Sequence, residues 1–237
     1  MLQTRGNKLT WLGHSTFRLT TPSGNVILID PWVQTNPMCP ESLKKFHRLD
    51  ALLITHGHFD HIADAVDLGK KFKPQIVGIY ETCAWLESKG VPGTSGMNKG
   101  GTQKVGELEV TMVHALHSCG IQDGGQIIYG GEACGYIIRL PGGLTVYHSG
   151  DTAVFGDMKL IAELYSPDLA LLPIGDHYTM GPREAAHAIR LLGVRHVVPM
   201  HFGTFPPLIG RPEQVRELTK DIPSLEIHAL KPGDSLG

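Results

Sequence analysis

In the segment Thr55-His56-Gly57-His58-Phe59-Asp60-His61, three imidazoles and a carboxylate fall within six residues, directly after the apolar run Ala51-Leu52-Leu53-Ile54. Imidazole and carboxylate are ligands for divalent first-row metals, and a strand running out into a loop can aim several of them inward together. Singly, each histidine would read as a surface residue or a hydrogen-bonded core residue. As a group they would repel on protonation or bury several unpaired polar atoms, so the segment reads as a metal site. His56 and His58, with one residue between them on an extended segment, point to the same side and can share one ion. Asp60 and His61 come where the chain turns into a helix, point away from that pair and suit a second ion.

A centre needing roughly four to six ligands per metal must recruit from elsewhere. Three further polar residues follow apolar runs: His117 after Val113-His114-Ala115-Leu116, Asp151 in Ser149-Gly150-Asp151-Thr152, and His201 after Val197-Val198-Pro199-Met200. Each also has an ordinary explanation. An aspartate in Ser-Gly-Asp-Thr commonly serves a turn or a helix cap, and a lone histidine at a strand end is usually a hydrogen-bonded core residue. His114 competes with His117, since strict alternation puts them on opposite faces; only the lead into the loop Ser118-Cys119-Gly120 favours His117. His14 and Asp30 end two paired strands and suit a hydrogen bond to each other near the floor of such a site. Asp176 and His177, between a strand and a helix, suit substrate contact. Cys119 reads as a bystander, and His47, His148, His187, His196 and His228 carry only a surface or packing reading.

The elements that must position these residues follow from turn residues and periodicity. Strand patterns over 8–20 and 25–30 flank Thr21-Pro22-Ser23-Gly24, and those over 133–140 and 144–148 flank Pro141-Gly142-Gly143, giving two hairpins. Further strands are expected over 51–55, 75–80, 108–116, 169–174, 196–200 and 225–230, with helices over 60–72, 81–89, 157–165, 182–192 and 212–220. Hairpins followed by alternating strands and helices, twice over, predict an α/β fold: a four-layer αβ/βα sandwich of two mixed β-sheets with helices on the outer faces. One domain is expected over 1–237, with pseudo-repeated halves of about 1–116 and 117–237. The glycine-rich loops 91–101 and 120–131 are expected to rim the pocket.

Composition narrows the function classes. The formal net charge of −2 gives no basic field of the kind non-specific nucleic-acid binding requires. Four cysteines without C-x-x-C pairing indicate neither a zinc ribbon nor a disulfide framework. With no apolar leader and no window of membrane-span length, a cytoplasmic protein is expected, with no membrane partner and a homo-oligomer compatible with the composition.

The pattern His56-x-His58-x-Asp60-His61, followed by a histidine, an aspartate and a histidine in that order, resembles the metallo-β-lactamase fold superfamily over almost the whole chain. Trp11-Leu12-Gly13-His14, Asp30-Pro31, Gly150-Asp151-Thr152, Pro173-Ile174-Gly175-Asp176 and Met200-His201-Phe202-Gly203-Thr204-Phe205-Pro206 resemble its small prokaryotic branch of metal-dependent hydrolases. That branch is similar to ascorbate-6-phosphate lactonases and, more distantly, to N-acylphosphatidylethanolamine phospholipase D. The resemblance implies His56, His58 and His117 on a first divalent ion, Asp60, His61 and His201 on a second, and Asp151 bridging. The branch leads one to expect a small polar residue such as asparagine after Asp176, where this chain has His177, an imidazole open to metal binding, substrate contact or neither.

A metal-dependent hydrolase is therefore expected, with a metal-bound hydroxide attacking a small ester, lactone or phosphodiester. Two divalent cations, less the charges of Asp60, Asp151 and a bridging hydroxide, leave one positive charge for an anionic substrate or a developing oxyanion. Asp60 is the expected catalytic residue, orienting the nucleophile and passing a proton to the leaving group. Zn2+ is the first expectation from ligand type, with Mn2+ or Fe2+ as alternatives. The rivals are a diiron redox enzyme, a nucleic-acid phosphodiesterase and a non-catalytic metal-dependent binding protein. His58 in place of a carboxylate opposes the first, and the missing basic stripe opposes the second.

Overall fold

Proline- and glycine-bearing turns reverse the chain twice: backbone bonds Gly24 N to Thr21 O and Gly143 N to Leu140 O close the two anticipated hairpins. The structure, a computed structural model, describes residues 2–237. Its first sheet begins with β1 (Lys8–Gly13), β2 (Thr16–Thr20), β3 (Val26–Ile29), β4 (Ala51–Leu53), β5 (Gln75–Ile79) and β6 (Thr94–Met97). The second sheet begins with β7 (Thr102–Val105) and β8 (Leu108–His114). After a separate hairpin of β9 (Gly120–Asp123) and β10 (Gln126–Tyr129), it continues with β11 (Cys134–Arg139), β12 (Thr145–His148), β13 (Leu169–Pro173), β14 (His196–Met200) and β15 (Glu226–Ile227). The last strand, β16 (Ser235–Leu236), returns to pair with β1. Both sheets are mixed: β1, β2 and β3 are antiparallel and β3 to β6 parallel, while β8, β11 and β12 are antiparallel and β12 to β15 parallel.

Alternation along the strands builds the layers. Trp11, Phe17, Leu19, Ile27, Ile29, Leu53 and Val77 face Val110, Met112, Tyr136, Ile138, Val146, Leu171 and Val198 in one core between the sheets. Their neighbours Leu28, Leu52, Ile54 and Ile76 point outward, against Ala65 and Leu68 of α2 (Ala65–Phe72) and Leu86 of α3 (Tyr80–Ser88), the helices that follow the short α1 (Phe59–Ile62). On the other outer face Ile137, Tyr147, Ala170 and Leu172 pack on α4 (Met158–Tyr165), α5 (Pro182–Leu192) and α6 (Pro212–Leu218). α5 shows why: Pro182 opens it, Gly193 closes it in the left-handed conformation, and Ala185, Ala188, Ile189 and Leu192 recur at helical spacing on its buried side. The four-layer αβ/βα sandwich is thus the observed architecture.

Several boundaries differ from the sequence reading. The pattern over 8–20 is two strands, because Gly13 (φ 101) and His14 (φ 55) turn the chain back on itself. The helix expected over 60–72 is two, broken where the Asp64 carboxylate accepts bonds from the backbone of Val33 and Gln34. Both glycine-rich loops, 91–101 and 120–131, contain strands, β6 and the hairpin β9–β10. All four cysteines are buried and free. Among the described residues no helix is long and apolar enough to cross a membrane.

Candidate metal centre

Six of the residues read from the sequence leave a strand at its C-terminal end, and His58, Asp60 and His61 follow β4 into the start of α1, so one edge of the two sheets collects them. His14 follows β1, Asp30 β3, His56 β4, His117 β8, Asp151 β12 and His201 β14. His14, Asp30 and His201 have positive φ (55°, 50° and 54°), which ends each strand abruptly. Gly57 separates two histidines for a steric reason: a Cβ there would lie 2.4 Å from Ile121 Cγ1.

Ligand atoms converge in two groups. His56 Nε2 lies 3.0 Å from His58 Nδ1, and His117 Nε2 lies 3.3 Å from the same atom. Asp60 Oδ2 is 4.0 Å from His61 Nε2 and 3.9 Å from His201 Nε2. Asp151 Oδ2 stands between the groups, 2.9 Å from His201 Nε2, 3.2 Å from His61 Nε2, 3.8 Å from His117 Nε2 and 4.0 Å from His56 Nε2. Donors held about 2.0–2.2 Å from a shared tetrahedral ion stand roughly 3.4 Å apart, so these separations fit metal coordination. The competing His114 is exposed and turned toward Lys99 and Phe155, outside both groups.

The hydrogen bonds around His61 give a second test of that fit. Its Nδ1 lies 2.8 Å from Asp30 Oδ2, while its fully buried Nε2 has no hydrogen-bond partner. Asp30 is fixed in turn by Thr55, whose backbone N and Oγ1 each donate at 2.8 Å. Nδ1–H therefore donates to Asp30 and Nε2 is aimed into the site, an arrangement that suits an imidazole whose Nε2 would bind a metal in place of a proton. Asp30 and His14 do not bond to each other, contrary to the sequence reading. His14 Nε2 lies 3.0 Å from Asp60 Oδ2 and its Nδ1 2.9 Å from Thr204 Oγ1, which places His14 within the Asp60–His61–His201 group.

Electrostatics sets the protonation state of these donors. Burial would raise Asp60 and Asp151, yet neighbouring imidazoles outweigh it: His61 and His14 hold Asp60, and His201 and His61 hold Asp151, below the usual carboxylate range. Burial pushes His117 and His14 down to about 4 and His56 well below its ordinary value. Burial opposes charge on His61 too, but Asp151, Asp30 and Asp60 raise it well above normal. Two ionised carboxylates among mostly neutral imidazoles form a donor set ready for divalent cations.

Above the ligands opens a cavity of about 550 Å³ with His58, Asp60, His117, Asp151 and His201 at its floor and Phe59, Phe205, Tyr178, Ile127 and Gln122 along its walls. Gly120, Gln122 and Ile127 come from the second glycine-rich loop; no residue of 91–101 lines the cavity, because that stretch forms the edge strand β6. Asp176 and His177 are exposed and do not line it either. Their left-handed backbone (φ 72° and 62°) turns them outward, with Asp176 Oδ1 accepting from His177 N at 2.7 Å. The His177 ring instead packs edge-on against Tyr178, 4.4 Å between centroids. Sequence reasoning missed Tyr178, Ser15, whose Oγ is 3.4 Å from Asp151 Oδ1, and His148, which accepts from Gly150 N at 3.1 Å and so shapes the Asp151 turn. Their positions beside His177, His14 and Ser149-Gly150-Asp151 were the available signal.

Comparison with known proteins places the fold in a family. Residues 25–202 match the family model described as a beta-lactamase superfamily domain. A UPF0173 metal-dependent hydrolase of Koribacter versatilis is 57% identical over 98% of each chain, and one of Solibacter usitatus is 59% identical over 95% of this chain and 97% of its own. A metallo hydrolase from the hyperthermophilic archaeon Ignicoccus hospitalis superposes with a TM-score of 0.86 at 36% identity, covering 97% of both chains. The chain thus belongs to the metallo-β-lactamase superfamily and, within it, to the UPF0173 family of metal-dependent hydrolases.

Proposed function

We propose that this hydrolase cleaves a small ester or lactone carrying an apolar acyl or aryl part, using two divalent ions, Zn2+ first. His56, His58 and His117 would hold one ion, Asp60, His61 and His201 the other, with Asp151 shared. The observation that carries this reading is the Asp151 carboxylate standing between two imidazole groups beneath walls of Phe59, Phe205, Tyr178 and Ile127. When bound, such ions polarise a carbonyl and lower the pKa of water toward about 7.

The chain's own residues do the rest. Aromatic and aliphatic walls receive the apolar part of the substrate and exclude bulk water, which favours an uncharged acyl group over a phosphodiester. Asp60 takes the proton of the attacking water and returns it to the leaving oxygen, a role worth about 10²–10⁴-fold in rate. His14 holds Asp60 Oδ2 for that task, and Thr204 holds His14. Ser15 bonds the outer oxygen of Asp151.

The test is a panel of lactones, aryl esters and bis-aryl phosphates offered to chelator-treated protein reloaded with Zn2+, with metal content measured alongside. Ester or lactone turnover is expected, falling about 10²–10⁴-fold in Asp60→Asn. Exclusive turnover of the phosphate diesters, or none at all in fully loaded protein, rejects the reading.

A further inference from the structure

We propose that the chain carries a separate transition-metal site, at the opposite end of β14 from the catalytic cluster, in which His196, Glu226 and His228 hold a divalent ion of the Zn2+ class. In the parallel pair of β14 and β15, His196 lies beside Glu226 and Val197 beside Ile227. His228 N donates to Val197 O at 2.8 Å, so the chain is still extended there and residues 226 and 228 share a side of the sheet. Register alone thus gathers two imidazoles and a carboxylate on one face.

Side-chain geometry completes the site. His196 Nδ1 lies 3.2 Å from His228 Nε2 and 3.7 Å from Glu226 Oε2, and His228 Nε2 lies 3.9 Å from that same oxygen. Donors around a tetrahedral zinc ion stand roughly 3.4 Å apart, so small rotamer adjustments bring all three onto one centre. The two rings stack with centroids 5.4 Å apart and planes 27° from parallel, with His196 Nδ1 facing His228 Nε2. Side-chain exposures of 14% and 17% shield the two imidazoles, while Glu226 is 44% exposed.

The two metal regions are distinct in space. His196 opens β14 and His201 follows its end, a span of roughly 16 Å at about 3.3 Å per residue. The position gives the ion a structural task. β15 has two residues, and the chain beyond it crosses to β16, which pairs with β1 in the other sheet. An ion held by both β14 and residues 226–228 pins that crossover and so ties the end of the chain to both sheets.

Equilibrium dialysis of the full chain against Zn2+, followed by elemental analysis, tests the site. Wild-type protein is expected to bind one ion more than the double variant His196→Gln/His228→Gln, while both retain the ions of the catalytic cluster and hydrolytic turnover. Glu226→Gln, with its change at an exposed carboxylate, guards against misfolding of the double variant, and its last ion should dissociate more readily than in wild type. Equal zinc content in wild type and the folded double variant, or undiminished affinity in Glu226→Gln, overturns the assignment and leaves a histidine pair hydrogen-bonded beside a carboxylate.

Discussion

Asp30 lies outside both ligand groups, yet it decides which nitrogen of His61 faces the centre. Its carboxylate takes the Thr55 N–H, the Thr55 hydroxyl and His61 Nδ1, all at 2.8 Å and all fully buried. Asp30→Asn keeps the volume but removes the charge that holds the Nδ1–H tautomer. Loss of such a partner typically costs about 10–100-fold in metal affinity or activity. A chelator competition assay should show that loss with the fold retained, and unchanged affinity would remove Asp30 from the machinery. At this scale the sequence was readable where ligand-type residues follow apolar runs: the side chains of His56, His58, Asp60, His61, His117, Asp151 and His201 converge in the structure. The pairing of His14 with Asp60 was not readable, because it spans a turn at Gly13 and 46 positions of separation. Asp176 and His177 lie outside the cavity for a related reason: their left-handed backbone turns the side chains outward, and sequence rarely announces that conformation except through glycine.

The hairpin β9–β10 is the least legible element and the one nearest substrate. Glycines at 120, 124, 125, 130 and 131 disguise its strands, and its alternation is weak because β10 is exposed along its whole length. β9 is anchored by Ile121, buried in the outer core, and by Asp123, which accepts from Trp85 Nε1 at 2.9 Å, whereas β10 rests on β9 with pairing from Gly120–Tyr129 to Asp123–Gln126. Ile127 projects from this hairpin into the cavity wall while remaining 78% exposed. An isoleucine so placed contributes little to folding, because most of its surface stays in water. Ile127→Ser should therefore leave stability within about 0.5 kcal/mol in urea unfolding while raising KM for esters with bulky apolar acyl groups more than for acetyl esters. An equal KM for both substrate classes would show that the hairpin does not set acyl preference. The central strands were legible for the converse reason: buried on both faces, β4, β13 and β14 read as continuous apolar runs bounded by turn residues.

The whole molecule folds around a cluster whose titration opposes its own stability once ions are stripped away. His14 and His117 titrate near 4, and His56, His58 and His148 are also held below the unfolded value near 6.5, burial being the first cause for each. Between about pH 6.5 and 4 the unfolded chain binds protons at these five positions that the folded chain refuses, so stability falls as pH falls. His61 has the opposite sign: its raised pKa contributes stability that is fully present below about 6.5 and is lost as pH rises through the folded value. Five against one, the chelated protein should lose urea resistance steadily from pH 7 to pH 4.5. Ion loading adds to this trend, since protons compete with cations for the same lone pairs and binding is strongest where the imidazoles are neutral. Ion at about 1,000 times its dissociation constant stabilises by about 4 kcal/mol. Zn2+ should accordingly raise the unfolding midpoint far more at pH 7.5 than at pH 5, measured as paired urea titrations of chelated and reloaded protein. A chelated protein whose midpoint stays flat over that range would mean that the imidazoles are not buried together as these strand ends place them.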